Sequence, residues 1–350
     1  MRQRAVGIKQ VAGEAGVSVA TVSQVLNAVE GARVSDETRA RVHATAERLG
    51  YVPNRMARGL RTQRSQALGL IGDQIATTPY SGRMVLGAQE AALRHGFTMV
   101  LFNTESDQAV EERDIRNLMQ YQVDGILYAT MYHRVVDVPA VLRGVPTVLL
   151  DCESSDATIS AVVPDEVAGG RAAVEELLAH GHRRIGFATN LDPVPATAGR
   201  LEGYRQALSG AGVPFDQSLV VADESESGGG YRASRALLER VDSPSAIFCF
   251  NDRMAMGAYR AAAELGLKIP ADLSIVGFDN QEVIAAGLFP DLTTVTLPHH
   301  AMGAWAVDTL VAQLAGAGPD PAAHPLLMNC PLVRRSSVAP PSRSGAPQRP

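Results

Sequence analysis

Cysteine is scarce in this sequence, because Cys152, Cys249 and Cys330 are the only three among 350 residues. They lie far apart, so they have neither the spacing of a metal site nor the density of a disulfide framework. Aromatic residues make up 5% of the chain, and no apolar run approaches the roughly 20 residues that span a bilayer. The N-terminal residues also lack the apolar core of a signal peptide. These absences predict a soluble cytoplasmic protein with reduced cysteines, no metal site and no membrane partner.

Motifs of catalysis are missing as well. The sequence contains no phosphate-binding Gly-Lys-Ser loop, no metal-ligand cluster and no nucleophile elbow. The glycine run in SESGGGY (225–231) lacks the context of such a loop, and we interpret it as a loop before a helix. We therefore expect neither enzymatic activity nor a cofactor.

Net positive charge is concentrated at the N-terminal end. Residues 1–62 carry ten Lys and Arg against five Asp and Glu, a balance of +5, whereas the remaining residues carry 22 against 32, a balance of −10. An acidic protein with one basic end is typical of a chain that binds a polyanion through that end.

Residues 8–27, IKQVAGEAGVSVATVSQVLN, are predicted to form two short helices around a tight turn. Ile8 and Val11 begin an apolar pattern at helical spacing, Gly16 ends the first helix, and Ser18 can cap the second. This is the pattern of a helix-turn-helix, whose second helix enters the major groove of DNA. An ordinary helical hairpin is the alternative.

A third helix is predicted from a cap at Ser35 to Gly50, and YVPNRMARGLRT (51–62) follows it. The order of these motifs resembles the LacI family of transcription repressors, and the resemblance extends along nearly the whole chain. It is carried by AGVSVATVSQVLN, VSDETRARV and LGYVPNRMARGLRT.

From residue 66, short apolar strands alternate with amphipathic helices, and the alternation restarts after Pro164. The candidate strands are Ala67–Ile71, Thr98–Phe102, Gly125–Tyr128, Thr147–Leu150, Arg184–Ala188, Ser218–Ala222, Ala246–Phe250 and Leu273–Phe278. Buried strands separated by helices favour parallel sheets that are covered on both faces. The sequence therefore predicts an α/β body of two doubly wound lobes with a cleft between them.

The resemblance implies an all-α helix-turn-helix headpiece followed by a two-lobed, periplasmic-binding-protein-like (type I) domain. The expected divisions are a headpiece at 1–52, a hinge helix and linker at 53–65, a first lobe at 66–164 plus about 292–322, a second lobe at 165–291 plus about 323–338, and a disordered tail at 339–350.

The same resemblance places base contacts on the second helix, from Val19, Ala20 and Gln24. A glutamine amide pairs best with adenine, whereas the arginine of many relatives prefers guanine. Phosphate contacts, which position a protein without specifying sequence, are expected from Thr21, Ser23, Asn27 and Arg33. For Thr21 and Asn27, a role as cap or turn residue is equally compatible with the sequence.

The segment Asn54–Arg61 is predicted to be a hinge helix of about two turns, which is too short to be stable in isolation. Gly59 lowers its stability by roughly another 1 kcal/mol relative to alanine. We expect it to fold when DNA and a second copy hold it, with Leu60 wedged into the central base step, as the resemblance implies. A plain linker is the alternative. The expected DNA-contacting residues of the hinge are Asn54, Arg55, Ala57 and Leu60.

Matching the family's effector-binding positions identifies Tyr80, Asp151, Arg200, Asn251 and Asp279, with Asp73 as a further candidate. An arginine fork such as that of Arg200 can clamp hydroxyls or a carboxylate, and Asp279 follows the carboxyl end of a strand, where open α/β sheets bind ligands. Each can instead serve as a structural ion pair or cap, and Asp252 is expected to cap the helix after Asn251. Leu297 stands where relatives commonly have glutamine, so a polar contact is expected to be absent.

These features predict a homodimeric repressor of carbohydrate-utilisation genes. It would bind a pseudo-palindromic double-stranded DNA operator and release it when a small sugar or sugar derivative binds the cleft. The helix beginning near Arg253 and the segment 281–288 are candidate parts of the dimer interface, although packing in the core is equally compatible with Met254 and Met256 of that helix. A corepressor-dependent regulator and a sugar-binding transport protein are the alternatives.

Overall fold

A computed structural model describes residues 6–27, 31–51, 65–75, 77–78, 81–318 and 325–342. The chain divides into two compact units, Met1–Ser65 and Gln66–Pro350. The predicted hinge residues Asn54, Arg55, Ala57 and Leu60, and the predicted effector residue Tyr80, lie outside the described residues.

The headpiece follows the helical pattern of its sequence. Its helices in the described ranges are α1 (Ile8–Ala15), α2 (Val19–Leu26) and α3 (Asp36–Leu49). Gly16 ends α1 in the left-handed conformation, with φ of 67°. At the start of α2 the Ser18 hydroxyl accepts a hydrogen bond from the N–H of Thr21 at 3.0 Å. The helices enclose a small core of Val11, Ala12, Ala15, Val22, Val25, Val42 and Ala46. The predicted helices and caps of the headpiece are therefore confirmed.

The first lobe of the body surrounds a six-stranded parallel sheet. Its strands are β1 (Ala67–Gly72), β2 (Thr98–Asn103), β3 (Gly125–Val135), β4 (Thr147–Glu153), β5 (Ala161–Pro164) and β11 (Leu326–Met328), in the order β11-β5-β4-β3-β1-β2. Its helices are α4 (Gly82–Arg94), α5 (Gln108–Gln120) and α11 (His299–Leu314), with a 3-10 turn at Ala140–Leu142. Alternate residues of the strands point to opposite faces, so β1 contributes Leu68 and Leu70 to one apolar cluster and Ile71 to another.

The second lobe repeats this architecture. Its strands are β6 (Ile185–Asn190), β7 (Val220–Asp223), β8 (Ala246–Cys249), β9 (Ser274–Asp279), β10 (Thr293–Thr296) and β12 (Leu332–Val333), in the order β12-β10-β9-β8-β6-β7. Its helices are α6 (Glu166–Ala179), α7 (Pro195–Gly210), α8 (Ser227–Leu238), α9 (Asp252–Glu264) and α10 (Glu282–Ala285), with a 3-10 turn at Gln217–Leu219. All pairs are parallel except β10 with β12. The predicted α/β class with two doubly wound lobes is confirmed. No helix in the described ranges is both long and apolar enough to cross a bilayer.

The chain passes between the lobes at places that differ from the prediction. β10 pairs with β9 of the second lobe, so the return to the first lobe comes after Thr296 rather than near 292. β11 pairs with β5 of the first lobe, so residues 326–328 do not belong to the second lobe. Both boundaries were misplaced because strands of two to four residues show no periodicity, and only their pairing partners assign them to a sheet.

The C-terminal segment contacts the second lobe at a residue that was predicted to belong to the disordered tail. The N–H of Ala339 donates to the Ser274 hydroxyl at 3.1 Å, and its carbonyl oxygen lies 2.9 Å from His182 Nε2. His182 Nδ1 lies 2.8 Å from the Ser245 hydroxyl. The predicted disordered tail is therefore wrong at its first residue, because a buried histidine binds the backbone there. Residues 343–350 lie outside the described ones.

Where helices α6 and α7 cross, their backbones are in contact because glycines line the crossing. A Cβ atom at Gly170 would lie 2.7 Å from the carbonyl oxygen of Arg200, and one at Gly199 would lie 2.6 Å from Cβ of Glu166. Gly203 similarly abuts the backbone of α6. Since no larger residue fits at these positions, the two helices approach closely enough to bring the side chains of Glu166 and Arg200 together.

Candidate effector site and DNA-binding surface

Charged side chains from both lobes converge at the carboxyl ends of the two sheets. In the second lobe, Glu166 is the first residue of α6, Arg200 lies in the second turn of α7, and Asp279 is the last residue of β9. Asp151 lies near the end of β4 in the first lobe, and its pKa responds to the charges of all three. Ligands of open α/β sheets bind outside the carboxyl ends of the strands. The structure therefore brings Asp151, Arg200 and Asp279 together, as the sequence predicted for the cleft.

Arg200 makes three hydrogen bonds within its own lobe. Its Nε donates to Glu166 Oε2 at 2.8 Å, its Nη2 donates to Glu166 Oε1 at 3.4 Å, and its Nη1 donates to the carbonyl oxygen of Phe250. The guanidinium carbon lies 4.3 Å from the ring centre of Phe250 and 3.7 Å from that of Phe278. Arg200 therefore orients the carboxylates around it, in addition to any contact with a ligand.

Asp279 occupies a strained position beside Arg200. Its φ of 103° lies in the region that residues with a Cβ rarely adopt, and such outliers cluster at functional sites. One carboxylate oxygen lies 3.6 Å from Arg200 Nη1, and the other accepts a hydrogen bond from the Gln281 amide at 2.9 Å. Burial raises the pKa of Asp279 to about 6, although Arg200 opposes the rise.

Asp151 presents an unsatisfied oxygen from the opposite lobe. Its φ is 60°, its side chain is 2% exposed, and Oδ1 has no hydrogen-bond partner within the described part of the chain. Oδ2 lies 3.8 Å from His299 Nε2. Burial raises the pKa of Asp151 well above its usual value; the charge of Glu166 adds to the rise and Arg200 opposes it. A buried acceptor in this state can receive a hydrogen bond from a ligand donor.

A second ion pair forms the first-lobe wall of the cleft. Arg134 Nη2 donates to Asp73 Oδ2 at 2.8 Å, while Asp73 Oδ1 accepts from the N–H of Gln74 at 2.7 Å. Tyr132 is partly exposed and its ring centre lies 5.5 Å from the Arg134 guanidinium carbon. Tyr132 is thus an aromatic candidate beside the cleft that the sequence did not identify.

Asn251 has a structural role that the sequence assigned to its neighbour. Its Oδ1 caps α9 by accepting from the N–H of Met254 at 2.8 Å, and its Nδ2 donates to the carbonyl oxygen of Ser225 at 2.9 Å. Asp252 does not cap the helix. It is buried and accepts hydrogen bonds from the Thr294 hydroxyl and the N–H of Gln281 at 2.6 and 2.7 Å.

Sequence reasoning missed Glu166, Arg134 and His299. Glu166 lies two residues after the end of β5 at Pro164, so its position after a strand was an available signal. The pairing of Arg134 with Asp73 depends on the extension of β3 to Val135, which its apolar pattern did not show. Leu297 is half-buried against the core of the second lobe, so it extends an apolar wall.

A separate cavity of about 670 Å³ lies on the first lobe. It is lined mainly by residues 137–147 and 154–159, with Gln313 and Ala317. None of the predicted effector residues that the structure describes, which are Asp73, Asp151, Arg200, Asn251 and Asp279, lines it. In the described residues, no group of three or more His, Cys, Asp or Glu side chains is arranged to hold a metal ion.

The headpiece exposes part of the predicted DNA-reading surface. Val19 is 40% exposed, and Ala20 and Gln24 are also exposed on α2. The Thr21 hydroxyl lies 2.8 Å from that of Ser18. Val19, Ala20 and Gln24 are thus free to meet the edges of bases, whereas Thr21 helps to form the cap.

The remaining residues that were predicted to contact phosphates differ in whether they already form hydrogen bonds within the headpiece. Asn27 Nδ2 donates to the carbonyl oxygen of Ser23 at 2.7 Å and lies 3.3 Å from its hydroxyl. Ser23 and Asn27 are therefore occupied in ending α2. Arg33 is exposed between α2 and α3.

Comparison with known proteins assigns both parts of the chain. Residues 7–54 match the model for bacterial regulatory proteins of the lacI family, and residues 154–338 match that for a periplasmic binding protein-like domain. The chain is 34% identical over 310 residues to the ribose operon repressor of Escherichia coli strain K12, covering 88% of this chain and 92% of that protein.

Two solved structures share the fold. A lac repressor dimer bound to operator and the anti-inducer ONPF aligns with a TM-score of 0.78 and 27% identity over 96% of this chain and all of that one. A LacI family transcriptional regulator from Enterococcus faecium with bound ribose aligns with a TM-score of 0.65 and 26% identity over 79% of this chain and all of that one. With the helix-turn-helix, the two doubly wound lobes and the relatives at this identity and coverage, the chain belongs to the LacI family and is a DNA-binding transcriptional repressor.

Proposed function

We propose that this repressor is a homodimer that binds a pseudo-palindromic operator and releases it when a sugar or sugar derivative enters the cleft. The observation that carries the proposal is the convergence of Asp151 from one lobe with Glu166 and Asp279 from the other. Carboxylates accept hydrogen bonds from sugar hydroxyls. The similarity to a ribose operon repressor and to a regulator with bound ribose supports a sugar as the ligand.

The proposed switch follows from linkage. A ligand held by carboxylates of both lobes binds best when the lobes are close together, so it shifts the body toward that arrangement. The shift is limited to the ligand's differential affinity for the two arrangements. We propose that closure disfavours the paired headpieces on DNA. The predicted hinge helix, with Leu60 as a minor-groove wedge, would transmit the change.

Gln24, Val19 and Ala20 are proposed to read bases in each half-site. The amide of the exposed Gln24 side chain matches the N6 and N7 edge of adenine, so we propose an adenine in the half-site. Because a dimer with two-fold symmetry presents two such helices, the operator would be pseudo-palindromic.

An exposed apolar surface on the second lobe supports the homodimer. Val283 is 92% exposed, Phe289 is 95% exposed, and Met256 on α9 is 38% exposed. The Tyr259 hydroxyl donates to the carbonyl oxygen of Pro290 at 2.8 Å, which brings this face of α9 next to the segment that carries Val283 and Phe289. Contiguous exposed apolar residues mark protein–protein contacts, and we propose a second copy as the partner. The protein would act in the cytoplasm, where its DNA lies, and without enzymatic activity.

The proposal is tested with the full-length protein in two steps. In vitro selection from a random duplex library identifies the operator, and fluorescence anisotropy then measures its Kd with D-ribose and other pentoses, hexoses and disaccharides. An inducing sugar should raise the operator Kd by about 5- to 150-fold. A sugar that lowers the Kd instead would make the protein corepressor-dependent. If no sugar changes the Kd, the sugar-responsive part is wrong; if selection enriches no sequence, the operator part is wrong.

A matched pair of variants locates the response. Asp279→Asn removes a cleft carboxylate and should abolish the sugar effect while operator binding without sugar persists. Asp242→Asn makes the same change at an exposed position and should leave the response intact. An unchanged response in Asp279→Asn would contradict the assignment of the cleft.

A further inference from the structure

Arg200 forms its side-on ion pair with a carboxylate of its own lobe. An arginine fork binds a carboxylate through two parallel hydrogen bonds, and Glu166 of the same lobe already occupies that position. The third nitrogen donates to the carbonyl oxygen of Phe250, and two aromatic rings lie close to the guanidinium. The side chains of Arg200 and Glu166 are 4% and 5% exposed, so water does not compete for this ion pair.

The surrounding charges leave an excess of carboxylates. Among the described cleft residues Glu166 and Asp279 share Arg200, at 2.8 and 3.6 Å, and Asp73 pairs with Arg134. With Asp151, four carboxylates therefore face two arginines. The neighbouring Arg253 forms an ion pair with Glu226.

His299 is the remaining basic side chain beside Asp151. Even when it is counted as a cation, these four carboxylates outnumber the three basic side chains. A ligand can therefore donate hydrogen bonds to these oxygens. A ligand anion would add to the negative charge that already opposes the ionisation of Asp151 in this partly desolvated space.

We propose that Glu166 is a built-in anion that determines specificity: it occupies Arg200 and restricts the effector to hydroxyl-rich molecules without negative charge. The inference rests on the proposed sugar-binding function of the cleft and adds the charge class of the ligand. Sugar phosphates and sugar acids are excluded, whereas neutral sugars and amino sugars are accepted. Removing the charge of Glu166 frees one edge of Arg200 and relaxes the exclusion.

The test uses sugars that differ only in charge. Isothermal titration of the full-length protein compares D-ribose with D-ribose 5-phosphate, and D-glucose with D-glucosamine, D-glucuronate and D-glucose 6-phosphate. Each anionic sugar should bind at least about 100-fold more weakly than its neutral parent. In Glu166→Gln this ratio should shrink by at least about tenfold.

Two control variants keep the outcome interpretable. Glu176→Gln changes another buried glutamate of α6 that pairs with an arginine, Arg334, ten residues from Glu166, and should leave the ratio unchanged. Glu166→Asp keeps the charge and should keep the exclusion, which provides an answer if Glu166→Gln fails to fold.

The possible results separate the two proposals. If wild-type protein binds an anionic sugar as tightly as its neutral parent, or if folded Glu166→Gln keeps the wild-type ratio, the inference about Glu166 is wrong while the sugar-responsive function stands. Loss of the exclusion in Glu166→Asp would contradict it as well. If no sugar of either charge class binds, the proposed sugar function fails and the inference falls with it.

Discussion

Replacing Gly203 with alanine should destabilise the second lobe, because α7 crosses α6 at this residue. A Cβ atom there would meet the backbone of Val167 and Arg171 and would lie 2.9 Å from the carbonyl carbon of Gly170. These are backbone atoms, so they cannot rotate away, and the helices must separate.

The expected size follows from two opposing effects. Alanine is favoured over glycine within a helix by about 1 kcal/mol, whereas forcing a methyl group into a packed contact costs about 1–3 kcal/mol or more. Because the obstruction is backbone, we take the upper end of that cost. The unfolding free energy should therefore fall by about 2 kcal/mol, which corresponds to a Tm about 4–8 °C lower.

Gly210→Ala provides the matched control within the same helix. Gly210 is the last residue of α7, and a Cβ atom there would have no neighbour within 4 Å. The same substitution should leave stability unchanged or raise it by about 0.5–1 kcal/mol. The two substitutions are chemically identical, so a difference in sign isolates the helix crossing.

Thermal and urea unfolding followed by circular dichroism would measure both variants, with titration of the sugar that is active in the operator assay as the functional readout. Gly203→Ala should also weaken sugar binding, since separating α6 from α7 moves Glu166 away from Arg200. The reasoning is refuted if Gly203→Ala is as stable as wild type, or if Gly210→Ala loses as much stability.

Burial lowers the pKa of His182 below its usual value of 6.5, so the unfolded state binds its proton more readily. The unfolding free energy should fall as pH decreases from 6.5 through the folded-state pKa; urea unfolding should show a smaller dependence in His182→Gln, and an equal dependence would exclude the histidine. Gln24→Arg should move operator preference from adenine toward guanine by about 1–3 kcal/mol at one position of each half-site. An operator-variant titration without a change at any base would disprove the contact. Val283→Asp combined with Phe289→Asp should yield monomers in sedimentation velocity, whereas Val241→Asp at another fully exposed valine should not. A dimer that persists in the double variant would rule out this surface.

Local signals predicted the headpiece well. Gly16 and Ser18 carry their effects within one helical turn, because a left-handed C-cap and a side-chain N-cap involve only neighbouring backbone groups. Eight of the twelve strands in the described ranges were also predicted, mostly to within one or two residues, since buried parallel strands are continuous apolar runs. The four-residue strands β5 and β10 were not among the candidates.

The sequence predicted several of the charged residues that lie in the cleft, but it did not predict how they pair with one another. Position after a strand identified Asp279, and the family pattern identified Arg200, but the sequence does not show which charges meet. Glu166 contacts Arg200 across 34 residues of sequence, so their pairing depends on how α6 and α7 cross. The cap formed by Asn251 rather than Asp252 depends on a one-residue difference in where α9 begins.

The sequence by itself determined the order of parts, a helix-turn-helix followed by two doubly wound lobes, because caps, periodicity and apolar runs act over a few residues. The tertiary structure alone decided which lobe each short strand joins, how Ala339 is held, and that Arg200 is already paired. These outcomes depend on contacts between residues far apart in the chain, where the free energy of burying a charge or pairing a strand edge is set by partners that no local pattern specifies.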